Sequence, residues 1–171
     1  GGTAFLRNHL LIRKVDLPVK KTDRKAPFKE LDHPADLRVE IRGKDEQELF
    51  RNAVESLYLL LGLQAVSDRR DVVPGERLEI QGQDPEEALV GLLGELLYRA
   101  TAERQRLNLQ ELSVRRGEEG EEGCRVDVRG GWETLTAGEM AGQREIKAVT
   151  YHDVQIRRTK RGWVARVVMD L

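Results

Sequence analysis

Apolar residues recur at helical spacing in two stretches of this chain, and each stretch needs a surface to bury against. In the first, Leu49, Phe50, Ala53, Val54, Leu57, Leu60 and Leu61 fall on one broad face. Asp45 and Glu48 ahead of it form an Asp-x-x-Glu capping signature, and Gly62 is a natural C-terminal stop. In the second, Leu89, Leu92, Leu93, Leu96, Leu97 and Ala100 line one side. Asp84 suits its N-cap and Pro85 its first position, while Glu86 and Glu87 complement the helix dipole. Both stripes are core-facing by composition. Gly91 and Gly94 are expected to permit close approach of a helix or sheet, at some cost in helix propensity.

Strand patterns surround these helices. Residues 37–41 alternate apolar and charged, closed by Gly43, and residues 77–81 alternate again. Beyond residue 107, stretches 109–116 and 124–129 flank an acidic, glycine-rich turn at 117–123. The four glutamates of that turn lack the Asp-x-Asp-x-Asp-Gly spacing and helical flanks of a calcium loop, so a solvated turn is the reading. Residues 130–143, with four glycines, read as a longer loop. Stretches 146–156 and 163–169 then pair around a basic turn at 158–162. This order predicts an α+β fold, with two amphipathic helices packed on a mainly antiparallel sheet. No repeat of the solenoid kind is visible.

A chain of 171 residues accommodates one domain with a tail. Residues 1–27 carry seven Lys/Arg against two Asp, with Pro18 and Pro27 and no amphipathic period. They read as a basic, flexible extension ahead of a domain at 28–171. Charged residues make up 35% of the chain yet leave a net charge of −1, so no global field draws it to nucleic acid or membrane. Cys124 is the only cysteine, which excludes an intrachain disulfide and a thiolate zinc site and fits a cytoplasmic setting. No apolar run approaches the ~18 residues of a membrane span.

The common catalytic signatures are missing. There is no phosphate-binding Gly-x-x-x-x-Gly-Lys-Ser/Thr loop, no Gly-x-Gly-x-x-Gly turn and no Gly-x-Ser-x-Gly elbow. Histidines occur at His9, His33 and His152, without a His-x-x-x-His pair, which disfavours a zinc protease or deaminase. His33 and His152 have the chemistry of metal ligands or acid–base groups. Two segments stand out. Asp32-His33-Pro34-Ala35-Asp36 is ordinary turn chemistry by residue type. Lys147 sits in an apolar strand pattern between Ile146 and Val149, where it either reaches a phosphate or carboxylate or snorkels to solvent. Asp170 and the α-carboxylate of Leu171 add oxygen donors at the other end of the sequence. Together with the early aspartates they suit a hard divalent cation, provided the fold brings them together.

In combination these features resemble the archease family. The resemblance rests on Asp32-His33-Pro34-Ala35-Asp36 followed by a strand, Gly43 and an acidic amphipathic helix. It rests also on Leu-Leu-x-Glu-Leu-Leu-Tyr at 92–98, on Ile-Lys-Ala-Val-Thr-Tyr-His at 146–152, and on an ending in Asp plus one aliphatic residue. It covers residues 28–171. The family more often has Thr where Pro34 stands, and the acidic turn at 117–123 is not one of its hallmarks.

The resemblance implies an α+β fold with the first motif beside the C-terminus. It implies a non-catalytic activator of an RtcB-type RNA ligase, promoting the ligase's metal- and GTP-dependent guanylylation and its repeated turnover in tRNA splicing. It implies a divalent metal ion, Ca²⁺ or Mn²⁺/Mg²⁺, held by Asp36, Asp170 and the Leu171 carboxylate. Lys147 then acts in partner activation, with Asp32 and His33 as supporting neighbours and tRNA touched only indirectly or weakly. The competing readings are a self-sufficient metal-dependent phosphohydrolase, built on Asp36, Asp170, Lys147 and His152, and an RNA chaperone using the basic tail. Few aromatics are available for base stacking in the latter.

Overall fold

The computed structural model describes residues 26–31, 36–64, 73–74, 77–118 and 121–171. Apart from Ala26 and Pro27, the extension expected at 1–27 lies outside these residues, as do Asp32 and His33.

Among the described residues, eight strands form two antiparallel sheets. In the first, β1 (Phe28–Leu31), β2 (Asp36–Gly43), β8 (Gly162–Asp170) and β7 (Ala148–Thr159) stand side by side in that order. In the second, β6 (Cys124–Thr134) is central. Strand β5 (Gln105–Arg116) pairs along its length, while β4 (Leu78–Gly82) and the short β3 (Val73–Pro74) take successive stretches of it.

Two helices join the sheets: α1 (Glu46–Leu60) and α2 (Pro85–Thr101). Helix α1 meets β1, β2 and β8 of the first sheet and β5 of the second, whereas α2 meets β4, β5 and β6 of the second and β7 of the first. Contact with both sheets explains the breadth of the apolar stripes. On α1 even Asn52 and Ser56 are buried. Asn52 Nδ2 donates to the Arg42 carbonyl at 2.7 Å, and the Ser56 hydroxyl donates to the Asn52 carbonyl, so neither polar group is left unmade. Fully buried Ile41, Leu49, Phe50, Leu57, Leu89, Leu92, Leu93, Leu96 and Met169 form one continuous core with their neighbours.

The helix limits follow the expected chemistry. Asp45 Oδ1 accepts the Glu48 N–H at 2.8 Å, and Asp84 Oδ1 accepts the Glu87 N–H at 2.7 Å. Helix α1 ends with Gly62 at φ +87°. The Leu63 N–H donates to the Tyr58 carbonyl and the Gly62 N–H to the Leu59 carbonyl, the paired bonds of a Schellman ending.

The two strand–helix units repeat one another at a distance of 39 positions. Glu40-Ile41, Gly43, Asp45 and Glu48 recur as Glu79-Ile80, Gly82, Asp84 and Glu87. In both, the glutamate side chain accepts a backbone N–H just ahead of the cap, Lys44 in one and Gln83 in the other. In both, a Cβ on the glycine would strike the backbone nitrogen of the helix's first turn, at Leu49 or at Ala88. The hairpin strands match as well. Gly162 (φ +128°) and Gly123 (φ +135°) open β8 and precede β6, each beside the carbonyl of its unit's glycine, Gly43 or Gly82.

Two expectations are corrected, the loop at 130–143 and the close approach at Gly94. The loop predicted at 130–143 instead continues β6 to Thr134 and then forms α3 (Ala137–Ala141). That helix is set by a reciprocal capping box between Thr136 and Glu139, which the glycine count obscured. The expected antiparallel sheet is present, divided into two sheets, and the helices touch both. Gly91 does lie close to a neighbour, since a Cβ there would meet Ile80 Cγ2 at 3.1 Å, but at Gly94 a Cβ would meet nothing within 4 Å among the described residues.

Candidate functional site: a carboxylate pair at the end of the first sheet

Strands β2 and β8 run antiparallel, and their register sets Asp36 directly opposite Asp170. Opposed residues of an antiparallel pair share a face and hold their Cβ atoms about 4.5–5.5 Å apart. Leu37, Val39, Ile41, Ala165, Val167 and Met169 occupy the core face, so the two aspartates lie on the outer one. Ala148, the first residue of β7, pairs with Asp170 on the other side, and the Lys147 N–H donates to the Asp170 carbonyl at 2.8 Å. The fold thus joins three points far apart in the chain: Asp36, Lys147 and Asp170.

Like charges opposed across a sheet destabilise it unless a cation stands by. Arg38, two residues along β2 and hence on the same face, places Nε 3.3 Å from Asp36 Oδ1. Its Nη2 reaches across β8 to Asp153 Oδ2, 3.5 Å away. Asp153 lies where β7 departs from its ladder. Between the pairs Thr150↔Val168 and Gln155↔Arg166, four residues of β7 oppose the single Val167. Asp153 adopts φ +60°, a left-handed conformation that a non-glycine residue holds only with help from its surroundings. The same excursion displays Tyr151, 60% exposed, and His152, whose Nε2 is 3.3 Å from Asp153 Oδ2.

Lys147 is exposed, and among the described residues its ammonium forms no ion pair with either carboxylate. It precedes β7 rather than lying within it, and the burial expected of its strand neighbours falls on Ile146, 4% exposed. Leu171 is 38% exposed beside Asp170. Among the described residues, no group of three or more His, Cys, Asp or Glu side chains is placed to hold a metal ion. An open groove of about 550 Å³, lined by residues including Glu86, Glu87, Tyr151, Ile156 and Arg157, borders the excursion but does not include Asp36 or Asp170.

The sequence reading passed over Arg38 and Asp153. Arg38 carried a usable signal, because residues two apart on a strand share a face. Asp153 carried none, because only the break in the β7 ladder turns it toward Arg38.

Comparison with known proteins is consistent along nearly the whole domain. Residues 28–171 match the model of the Archease protein family. The chain is similar to protein archease of Methanosarcina barkeri, with 32% identity over 84% of this chain and 95% of that protein. It is similar to protein archease of Archaeoglobus fulgidus at 31% identity, over 84% of this chain and 98% of that one. The solution structure of Methanobacterium thermoautotrophicum protein 1598 superposes with a TM-score of 0.59 at 25% identity, over 85% of this chain and 99% of that one. No helix among the described residues is long and apolar enough to cross a membrane. With a family model spanning residues 28–171 and a neighbour of the same fold, this chain belongs to the archease family.

Proposed function

We propose that this protein is an accessory factor rather than an enzyme. In this reading it activates an RtcB-type RNA ligase by promoting the ligase's metal- and GTP-dependent guanylylation and its multiple turnover in tRNA splicing. The observation that carries the reading is the register that sets Asp36 opposite Asp170, with Lys147 bonded to the Asp170 backbone, in a member of the archease family. Carboxylates and an exposed lysine at one sheet end suit a protein that presents charge to a partner's triphosphate site. The sequence carries neither a Gly-x-x-x-x-Gly-Lys-Ser/Thr loop nor a Gly-x-Ser-x-Gly elbow, which counts against a phosphohydrolase.

The donor set fits a hard divalent cation, Ca²⁺ or Mn²⁺/Mg²⁺. Two opposed carboxylates supply oxygen ligands, and the structure already sets a guanidinium against one of them to offset charge. Asp36 and Asp170 hold the ion in this reading, Leu171 adjoins them, and water or a partner completes the shell. When bound, the ion neutralises negative charge on the transferring nucleotide.

The test is guanylylation of an RtcB-type ligase with GTP and Mn²⁺, with and without this protein. Wild type is expected to raise the rate. Asp170→Asn and Lys147→Ala are each expected to lower that stimulation roughly tenfold or more, by analogy with the loss when residues supporting a metal site are removed, while remaining folded. Undiminished stimulation by both variants would refute the site. GTP turnover by the protein alone, constant in specific activity through purification and lost in Asp170→Asn, would make it an enzyme.

A further inference from the structure

Arg38 and Arg77 occupy the same position in the two strand–helix units, 39 residues apart, yet they are held very differently. Arg77 grips Asp127 at two points, with Nε at 3.2 Å and Nη2 at 2.7 Å from Oδ1. The position equivalent to Asp127 in the first sheet is Arg166, so Arg38 has no such partner beside it. Its guanidinium is instead divided between Asp36 at 3.3 Å and Asp153 at 3.5 Å, both at the long limit of hydrogen bonding. A planar fork with five donors can lean toward either acceptor without leaving the other's field.

We propose that Arg38 is a positioning residue, the internal counter-ion of the Asp36–Asp170 pair, and that a divalent cation entering the pair displaces it onto Asp153. This rests on the cation reading of the pair given above. Asp36 does not serve a divalent ion and a guanidinium in full at once, because the two cations repel at that distance. The guanidinium then settles on Asp153, which lies in its strained left-handed conformation at the centre of the β7 excursion. Cation occupancy at the β2–β8 end therefore tightens residues 151–154, the segment that displays Tyr151 to solvent. The chain's own charge tunes the cation affinity, and the cation in turn sets the order of a neighbouring surface.

Calorimetric titration of Mn²⁺, and separately of Ca²⁺, into the full-length protein tests this without any ligase. Arg38→Gln is expected to bind roughly three- to tenfold tighter, the scale of losing one partly buried competing ion pair. Asp153→Asn is expected to bind weaker by roughly two- to threefold, because the displaced guanidinium loses its acceptor. Hydrogen exchange at residues 151–154 is expected to slow on adding cation to wild type and to stay unchanged in Arg38→Gln. Arg38→Met, which keeps an unbranched stem on the sheet face, repeats the measurement if the Gln variant does not fold. Cation binding of equal strength in wild type and both Arg38 variants overturns the counter-ion proposal and leaves the cation reading standing. No binding in any of them overturns both. Binding confined to the Arg38 variants overturns displacement by an entering cation, since the guanidinium then keeps the ion out.

Discussion

The unit β2–α1 with hairpin β7–β8 and the unit β4–α2 with hairpin β5–β6 solve one folding problem twice, and they differ where function is expected. Both use a tight glycine between strand and helix, an aspartate cap and a positive-φ glycine beside the hairpin. Each hairpin also touches the other unit's helix: Arg116 of β5 pairs with Glu46 of α1, and the Ile156 N–H of β7 donates to Glu86 of α2. Both hairpins lose register in their first strand, but β5 has one residue to spare, Gln110, whereas β7 has three. The position equivalent to Asp170 in the second unit is Gly131. A scaffold that stands on glycine there does not need a carboxylate for folding. The aspartate pair and the wide β7 excursion are additions to one copy of a common frame.

The glycines test this equivalence most severely. Gly43→Ala and Gly82→Ala each force a Cβ into the backbone of the following helix, so both are expected to destabilise by about 2–4 kcal/mol, the range of overpacking with backbone displacement. Urea unfolding of the two variants measures it. Tolerance of one and not the other would mean that the units do not bear load alike.

The caps come next. Asp45→Ala and Asp84→Ala are each expected to cost about 1 kcal/mol in the same assay, the usual value of a lost N-cap. A cost confined to one helix would break the parallel at its N-termini.

Gly94→Ala has a smaller effect of opposite sign. Among the described residues nothing would meet the added methyl group, so the gain in helix propensity is expected to stabilise the protein by about 0.5–1 kcal/mol, read as a higher Tm.

The least change in stability is expected at the carboxylates of the first unit. Asp170→Asn removes one of two opposed like charges and should alter stability by less than ~0.5 kcal/mol, while the proposed function expects it to lower ligase activation. Asp127 of the second unit behaves differently. Burial pushes its carboxyl pKa up, but hydrogen bonds from Arg77 and Arg125 outweigh this and hold it below the usual range. A depressed folded pKa confers stability above the unfolded value of ~3.9 that fades as pH falls through the folded value. Wild type should therefore lose stability in acid more steeply than Asp127→Asn, as acid titration of urea midpoints would show. Parallel curves would remove the distinction between a structural and a functional aspartate.

Helix limits were legible in the chain because capping is local. Asp45, Gly62, Asp84 and Pro85 act within a few residues of themselves, and the structure places them as expected. The membership of Asp36, Lys147 and Asp170 in one motif set was legible through resemblance, but their adjacency was not. It arises from the β2–β8 register, which depends on burying Leu37, Val39, Ile41, Val167 and Met169 on a single face. The 39-residue correspondence was present in plain letters, yet its shared residues, Arg38 and Arg77 among them, gain meaning only when the same glycine, cap and backbone contacts recur in space. Arg38 and Asp153 show the limit most clearly. Their contact spans 115 positions and crosses an intervening strand, and it exists because four residues of β7 face one of β8. Local preference governs where an element begins and ends. Which side chains meet across a sheet is set by how the whole core is buried, and that long-range balance is not written in any short stretch of the chain.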